Sequence, residues 1–404
     1  MHKKNHHLTS AVAMILMSSP AWSIDSLGDA FREGDANLSF RYRFEWVDQD
    51  GFNRDANAST LRTRLNFQTA AYKGFRFFIE ADNVMEVFGD NYNAGAGNTP
   101  NHGQYPVVAD PTDTEINQAW FNYAFNDTSG IKLGRQRILL DNQRFVGGVG
   151  WRQNEQTYDA VSLDTQIAGS QLFLSYIENV NRIFGDDVAA GDHDNQTLLA
   201  NWSNIWQNKH QLTLYYYNID NQDAADFSTA TLGASFKSHW PMGEHKMTFA
   251  AELAQQSDAH NNPVNYDASY MRLDLALAFK QVTYFVGYEV LEGSTKQSGA
   301  AFRTPLATLH AFNGWADQFL GTPDVGLADS FVGAKGAIAG FNWQIKYHQF
   351  DPESGPGDLG HEVDFSVAKK LNKNLSALVK AAHFEAEDIK SDTNKYWLML
   401  SADF

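Results

Sequence analysis

The stretch NLSFRYRFEWV, residues 37–47, alternates throughout: Leu38, Phe40, Tyr42, Phe44 and Trp46 share one parity, Ser39, Arg41, Arg43 and Glu45 the other. A period of two sends successive side chains to opposite faces of an extended strand, so one face is aromatic and the other ionic. Residues 58–72 repeat the pattern, with Leu61, Thr63, Leu65 and Phe67 against Arg62, Arg64, Asn66 and Gln68. Residues 74–84 set Phe75, Phe77, Ile79 and Ala81 against Arg76, Glu80 and Asp82. A soluble sandwich would bury the apolar face and wet the polar one. A membrane barrel shows the apolar face to lipid and lines its lumen with the polar one.

Further strands are expected at 115–125, 130–137, 155–165, 170–179, 196–206, 210–219, 227–240, 244–256, 268–279 and 282–291. The last five fall at 331–339, 341–350, 361–370, 374–384 and 395–404, for a total of eighteen. Tight links alternate with long Asp-, Asn- and Gly-rich ones, the longest at 85–114 and 292–330. An even count with that asymmetry predicts an all-β chain forming a single transmembrane antiparallel barrel of about 18 strands, with short periplasmic turns and long extracellular loops. A sandwich has no reason to produce it. Turning Arg41, Arg43, Arg62 and Arg64 to lipid would cost about 2–4 kcal/mol each near the midplane, so these arginines are expected to point inwards.

Residues 1–23 carry Lys3 and Lys4, an apolar run from Ala11 to Met17, and the small-residue site Ala21-Trp22-Ser23, which together read as a cleaved secretory signal. The barrel is then residues 24–404, and the formal charge of −17 becomes −19 with the two lysines gone. Cysteine is absent, so no disulfide framework is available. No later apolar run approaches the roughly 20 residues of a membrane helix, which leaves a closed sheet as the way to span a bilayer. The final strand places Tyr396, Leu398, Leu400, Ala402 and Phe404 on one face. A chain ending so resembles bacterial outer-membrane barrels, whose terminal Phe is read by the barrel assembly machinery.

Eleven of the fourteen arginines precede Gln153, whereas Asp and Glu crowd the long loops. Net charge is therefore no guide to the lumen, and one sector of the wall is expected to be basic. Arginines in a narrow, low-dielectric channel favour anions. The alternative is that Arg41, Arg43, Arg62, Arg64 and Arg76 neutralise Glu45, Glu80 and Asp82 across neighbouring strands.

The densest cluster is GRQRILLDNQRFVGGVGWRQNEQTYDA, residues 134–160, which holds Arg135, Arg137, Arg144 and Arg152 beside Asp141, Glu155 and Asp159. Cations so gathered must meet water, carboxylates or an anionic ligand. This run, with TPLATLHAFNGWADQFLGTPDVGLADSF at 304–331, resembles the alginate export family of outer-membrane proteins. The resemblance implies an eighteen-stranded barrel whose arginine-rich lumen passes a polyuronate, with Arg135, Arg137, Arg144 and Arg152 in that lumen and Asp159 as an acidic partner. It supports anion permeation better than alginate itself. Residues 138–154 read as an extracellular loop short enough to fold into the mouth. There Phe145 and Trp151 would offer flat faces to sugar rings or else cap the rim. Residues 85–114 are expected to be a lid or disordered.

The expected function is passive, anion-selective permeation across the outer membrane, with lipid and lipopolysaccharide around the barrel and an anionic saccharide or small anion inside it. The rivals are a barrel enzyme of lipase or protease type and a structural or adhesive barrel. His310 with Asp317, or His348 and His361, supply candidate bases, but no serine completes a recognisable constellation and no GxSxG occurs. No metal or cofactor motif is present, and the acidic exterior disfavours nucleic acid.

Overall fold

The computed structural model describes residues 25–404; the expected signal at 1–23 lies outside the described residues. A short helix α1 (Leu27–Arg32), capped by the Ser26 hydroxyl accepting from Asp29 N–H, precedes the first strand. The strands that follow are β1 (Asp35–Gln49), β2 (Ala56–Gln68), β3 (Phe75–Asn91), β4 (Asp113–Asn126), β5 (Ser129–Gln136) and β6 (Thr157–Ile167). Next come β7 (Ser170–Asn181), β8 (Asp192–Trp206), β9 (His210–Ile219), β10 (Thr229–Met242), β11 (His245–Asp258) and β12 (Asp267–Phe279). The set ends with β13 (Val282–Leu291), β14 (Leu327–Ile338), β15 (Phe341–Asp351), β16 (Gly360–Lys370), β17 (Leu375–Glu385) and β18 (Thr393–Asp403).

Each strand pairs antiparallel with its sequence neighbour, and β18 returns to β1, with Arg43 opposite Met399 and Trp46 opposite Tyr396. The eighteen-stranded sheet is thus closed and has no edge to satisfy in lipid. Every strand expected from alternation is present. At one end the hairpins turn tightly through left-handed residues, as at Ala168-Gly169 and Ala339-Gly340. At the other end the links are long.

Alternation sets the faces. Leu65, Phe75, Leu232 and Ile338 are all more than half exposed on the outside, at 55, 53, 63 and 65 %. Aromatic pairs mark the rims: Phe75 and Tyr123 with ring centroids 4.5 Å apart at the short-turn end, Trp46 and Tyr396 at 5.3 Å towards the long loops. Inside, Arg43, Glu45, Arg62, Arg64, Glu80 and Asp82 are buried. A bulge in β4 sets Glu80 opposite Gln118 but Ala81 opposite Ile116, so Asn117 and Gln118 both reach inward to the Glu80 carboxylate, at 2.8 and 3.1 Å.

The upper interior is filled by two of the long links. Residues 137–156 and 292–326 meet inside the barrel through a parallel bridge between Val146 and Leu306, where Gly147 N–H donates to Leu306 O at 2.8 Å. A side chain at Gly147 would put its Cβ 2.2 Å from Thr308 Oγ1, so only glycine allows this approach. Residues 92–112 are ordered too: Tyr92, Tyr105 and Val108 pack on Val47, Ala56 and Ala58.

Candidate functional site

The inward face of β1 and β2 is a wall of arginines, and it grips the loop at 137–156. Arg41 donates to Gln153 Oε1 and Gly150 O, both at 2.9 Å, and to Arg152 O. Arg43 donates to Trp151 O at 2.7 Å, pairs with Asp110 at 3.2 Å, and lies 4.0 Å from the centre of the Trp151 ring. Arg64 forks onto Asp82 and reaches Glu155 at 2.8 Å. Arg62 lies 3.6 Å from Glu155, and Arg137 joins Glu155 to Glu80. Gln153 Nε2 completes the seam on Thr60 Oγ1 at 2.9 Å.

Within the loop, Arg144 binds Glu289 of β13 at 2.7 Å and Asn313 at 2.9 Å. Arg152 bridges Glu45 at 3.1 Å and Asp317 at 2.9 Å, so it ties wall, first loop and second loop together. Asp317 also meets Lys395 at 3.0 Å and His310 Nδ1 at 2.6 Å, while His310 Nε2 faces Lys380 Nζ at 2.6 Å. These partners assign Nδ1 as donor and Nε2 as acceptor of a neutral imidazole. Trp151 stacks on that imidazole with centroids 4.6 Å apart. Glu362 of β16 accepts from the backbone N–H of Trp315 and Ala316.

Burial sets the energetics. It works to raise the Asp110 carboxyl, but the Arg43 and Arg152 guanidiniums outweigh it and hold the group below the usual carboxylate range. Glu155 is lowered against its own burial by Arg137, Arg64 and Arg62. His310, Lys395 and Arg152 do the same for Asp317. Burial holds His310 well below its ordinary value despite the opposing pull of Asp317. Removing one member of so enclosed a pair leaves an uncompensated charge, at a cost of about 3–5 kcal/mol.

The expected site residues divide into four groups. Arg41, Arg43, Arg62 and Arg64 point inwards and Arg137 joins them at the top of β5, while Arg144 and Arg152 are buried in the inner loop. Arg76 also points inward, near the short-turn end, and has no ion pair or hydrogen bond among the described residues. Arg135 and Asp159 pair as expected, at 2.9 and 3.0 Å, but on the other face. Tyr158 and Ala160 both belong to the inner core, so Asp159 between them points out, and Arg135 lies directly opposite it in register. This corrects their expected place in the lumen: Arg135 has the parity of the exposed Ile131 and Leu133, and a bidentate carboxylate lets a guanidinium sit there.

Phe145 and Trp151 present no open ring to a sugar. Phe145 is enclosed by Tyr215, Tyr270 and Phe302, and Trp151 is covered by Arg43 and His310. Nothing local in the chain connects Asp110, Glu289, Asp317, Lys380 and Lys395, which meet their partners only inside the closed barrel.

The profile of the alginate export family matches residues 33–274, more than half of the chain. The chain belongs to the alginate export family. No curated protein is significantly similar to it. Among solved structures it is similar to OccK9 (OpdG) of Pseudomonas aeruginosa, with a TM-score of 0.73 at 14% identity over 93% of this chain and 99% of that one. OccAB3 of Acinetobacter baumannii gives 0.71 at 13%, covering 92% and 99%. The structure of Pseudomonas aeruginosa OpdK with vanillate gives 0.71 at 12%, covering 92% and 98%. At such identities the likeness is one of fold. As an alginate export family member with an eighteen-stranded barrel, the protein is an outer-membrane channel. The short turns then lie on the periplasmic side and the long loops outside.

Proposed function

We propose that the channel passes anionic solutes passively, with acidic polysaccharide or oligouronate as the substrate class. The observation that carries the reading is the inward guanidiniums that no carboxylate pairs among the described residues, Arg41 on β1 and Arg76 on β3. Of these, Arg41 meets only neutral acceptors. Vanillate, named with OpdK, is also a carboxylate, which agrees with this class. Basic side chains replace part of a carboxylate's hydration while weak contacts let the solute move on. Outer-leaflet lipopolysaccharide and the barrel assembly machinery are the partners this setting implies. The enzyme reading is weakened because His310 Nε2 faces Lys380 rather than a hydroxyl nucleophile.

The filled upper lumen favours one other reading, a structural barrel without transport. A planar bilayer separates the two. We expect the purified barrel to conduct, to give a zero-current potential of anion-selective sign across a salt gradient, and to admit uronate oligomers in liposome swelling. Cation selectivity overturns the proposal, and absence of conductance favours the structural barrel.

A further inference from the structure

The arginines of the upper lumen are mostly spent on neighbouring carboxylates: Glu80, Asp82 and Glu155 alone engage Arg62, Arg64 and Arg137. That cluster is a brace that holds the inner loop to the wall, and a guanidinium bound to two carboxylates has little field left for a passing anion. The lower half of the barrel is different. Arg76 follows the exposed Phe75 near the start of β3 and so points inward. Lys132, three residues into β5, places Nζ 4.6 Å from the inward Trp120 ring. Lys237 of β10 shares the parity of Gly233, which faces the inner Tyr215, and opposes the exposed Leu232. Lys335 of β14 lies 5.8 Å from the ring of Phe285, which alternates with the exposed Tyr284 and Val286.

None of these four cations forms an ion pair among the described residues, and they stand on strands spaced around the closed sheet. The acids of the same face offset them only in part, Asp164 being the one that attracts Lys132 across the β5–β6 pair. Asp274 is held by Arg272 at 2.7 Å, and Asp164 hydrogen-bonds Gln171. Asp35 and Asp403 sit at the very lip, where Lys246 and Lys370 share their face of the sheet.

Resting on the permeation proposed above, we infer that the periplasmic half of the lumen is an anion-collecting vestibule. Arg76, Lys132, Lys237 and Lys335 form its charged ring and set the charge preference of the channel, while the paired arginines above hold the loops. The ligand class is a multiply charged carboxylate chain, because cations separated around a ring engage several carboxylates in turn and hold none bidentately. The acidic outer loops repel the same ligand, so capture is polarised: the periplasmic mouth attracts what the outer mouth turns away.

The test replaces Arg76, Lys132, Lys237 and Lys335 together by Gln in the full-length barrel, with the matched Lys132→Arg, Lys237→Arg and Lys335→Arg protein as control. Since no ion pair is removed, both are expected to fold, as checked by the shift in gel mobility on heating. In bilayers, the Gln protein is expected to lose at least about threefold in anion-over-cation permeability, and the Arg control to keep it. An oligogalacturonate added to the periplasmic side of the wild type is expected to block current at a lower concentration than from the outer side, and this difference to vanish in the Gln protein. A wild type that is anion-selective and a Gln protein that is equally so overturn the vestibule and leave the permeation reading standing. A cation-selective wild type overturns the permeation reading itself.

Discussion

Two ion pairs in this chain use the same chemistry in opposite surroundings. Glu155 is enclosed and shared by Arg62, Arg64 and Arg137, whereas the Arg135–Asp159 pair lies outward with side chains about a third exposed, at 31 and 33 %. Replacing Glu155 by Ala leaves Arg62 buried without its ion-pair partner beside Arg64 and Arg137, which keep Asp82 and Glu80, and the expected loss is about 3–5 kcal/mol. Asp159→Asn acts on a screened pair near the rim, where the expected loss is about 0–1 kcal/mol. Urea unfolding of both variants in the same lipid checks the contrast. Equal losses would show that burial does not separate the two.

At the scale of elements, the channel is a barrel with three links held inside it, 92–112, 137–156 and 292–326, and the clamp is ionic. The carboxyls of Asp110, Glu155 and Asp317 have docked values below their free ones, so their stabilisation is complete above about pH 4 and is lost as pH falls further. His310 is also lower when docked than free. A released loop therefore takes up a proton there that the docked loop refuses, and stability begins to fall below about pH 6.5. Both contributions have the same sign. Single-channel recordings are expected to show larger and noisier conductance at pH 4 than at pH 7, reversibly. Identical traces at the two values would argue against loop release.

The whole molecule carries its charge asymmetrically, with acids on the long loops and, in the vestibule proposed above, four cations that form no ion pair among the described residues. Sidedness can be read directly because the chain has no cysteine. Asp187→Cys in the link between β7 and β8 is expected to react with a membrane-impermeant maleimide on intact cells. Ala168→Cys in the tight turn between β6 and β7 is expected to react only after the outer membrane is opened. The reverse pattern would invert the barrel and with it the direction of the vestibule.

Residues 37–47, 58–72 and 74–84 by themselves determined strand, face and membrane, because a period of two needs no long-range information and lipid strongly penalises the wrong face. The eighteen strands and the alternation of turns with loops were legible for the same reason. What the arginines do was not. Alternation assigns a side chain to a face, but it does not say which carboxylate arrives there: Asp110 and Asp317 come from links whose paths are set by packing inside the closed sheet, and Glu289 of β13 meets Arg144 only because such a link carries it in. Arg135 shows the limit most plainly: grouped with its neighbours by motif it belongs to the lumen, whereas its parity with Leu133 and its register with Asp159 put it outside. Closure of the sheet turned one basic run into three environments, a brace, an outer pair and a loop anchor. Only the tertiary structure could decide among them, because each depends on partners distant in the chain.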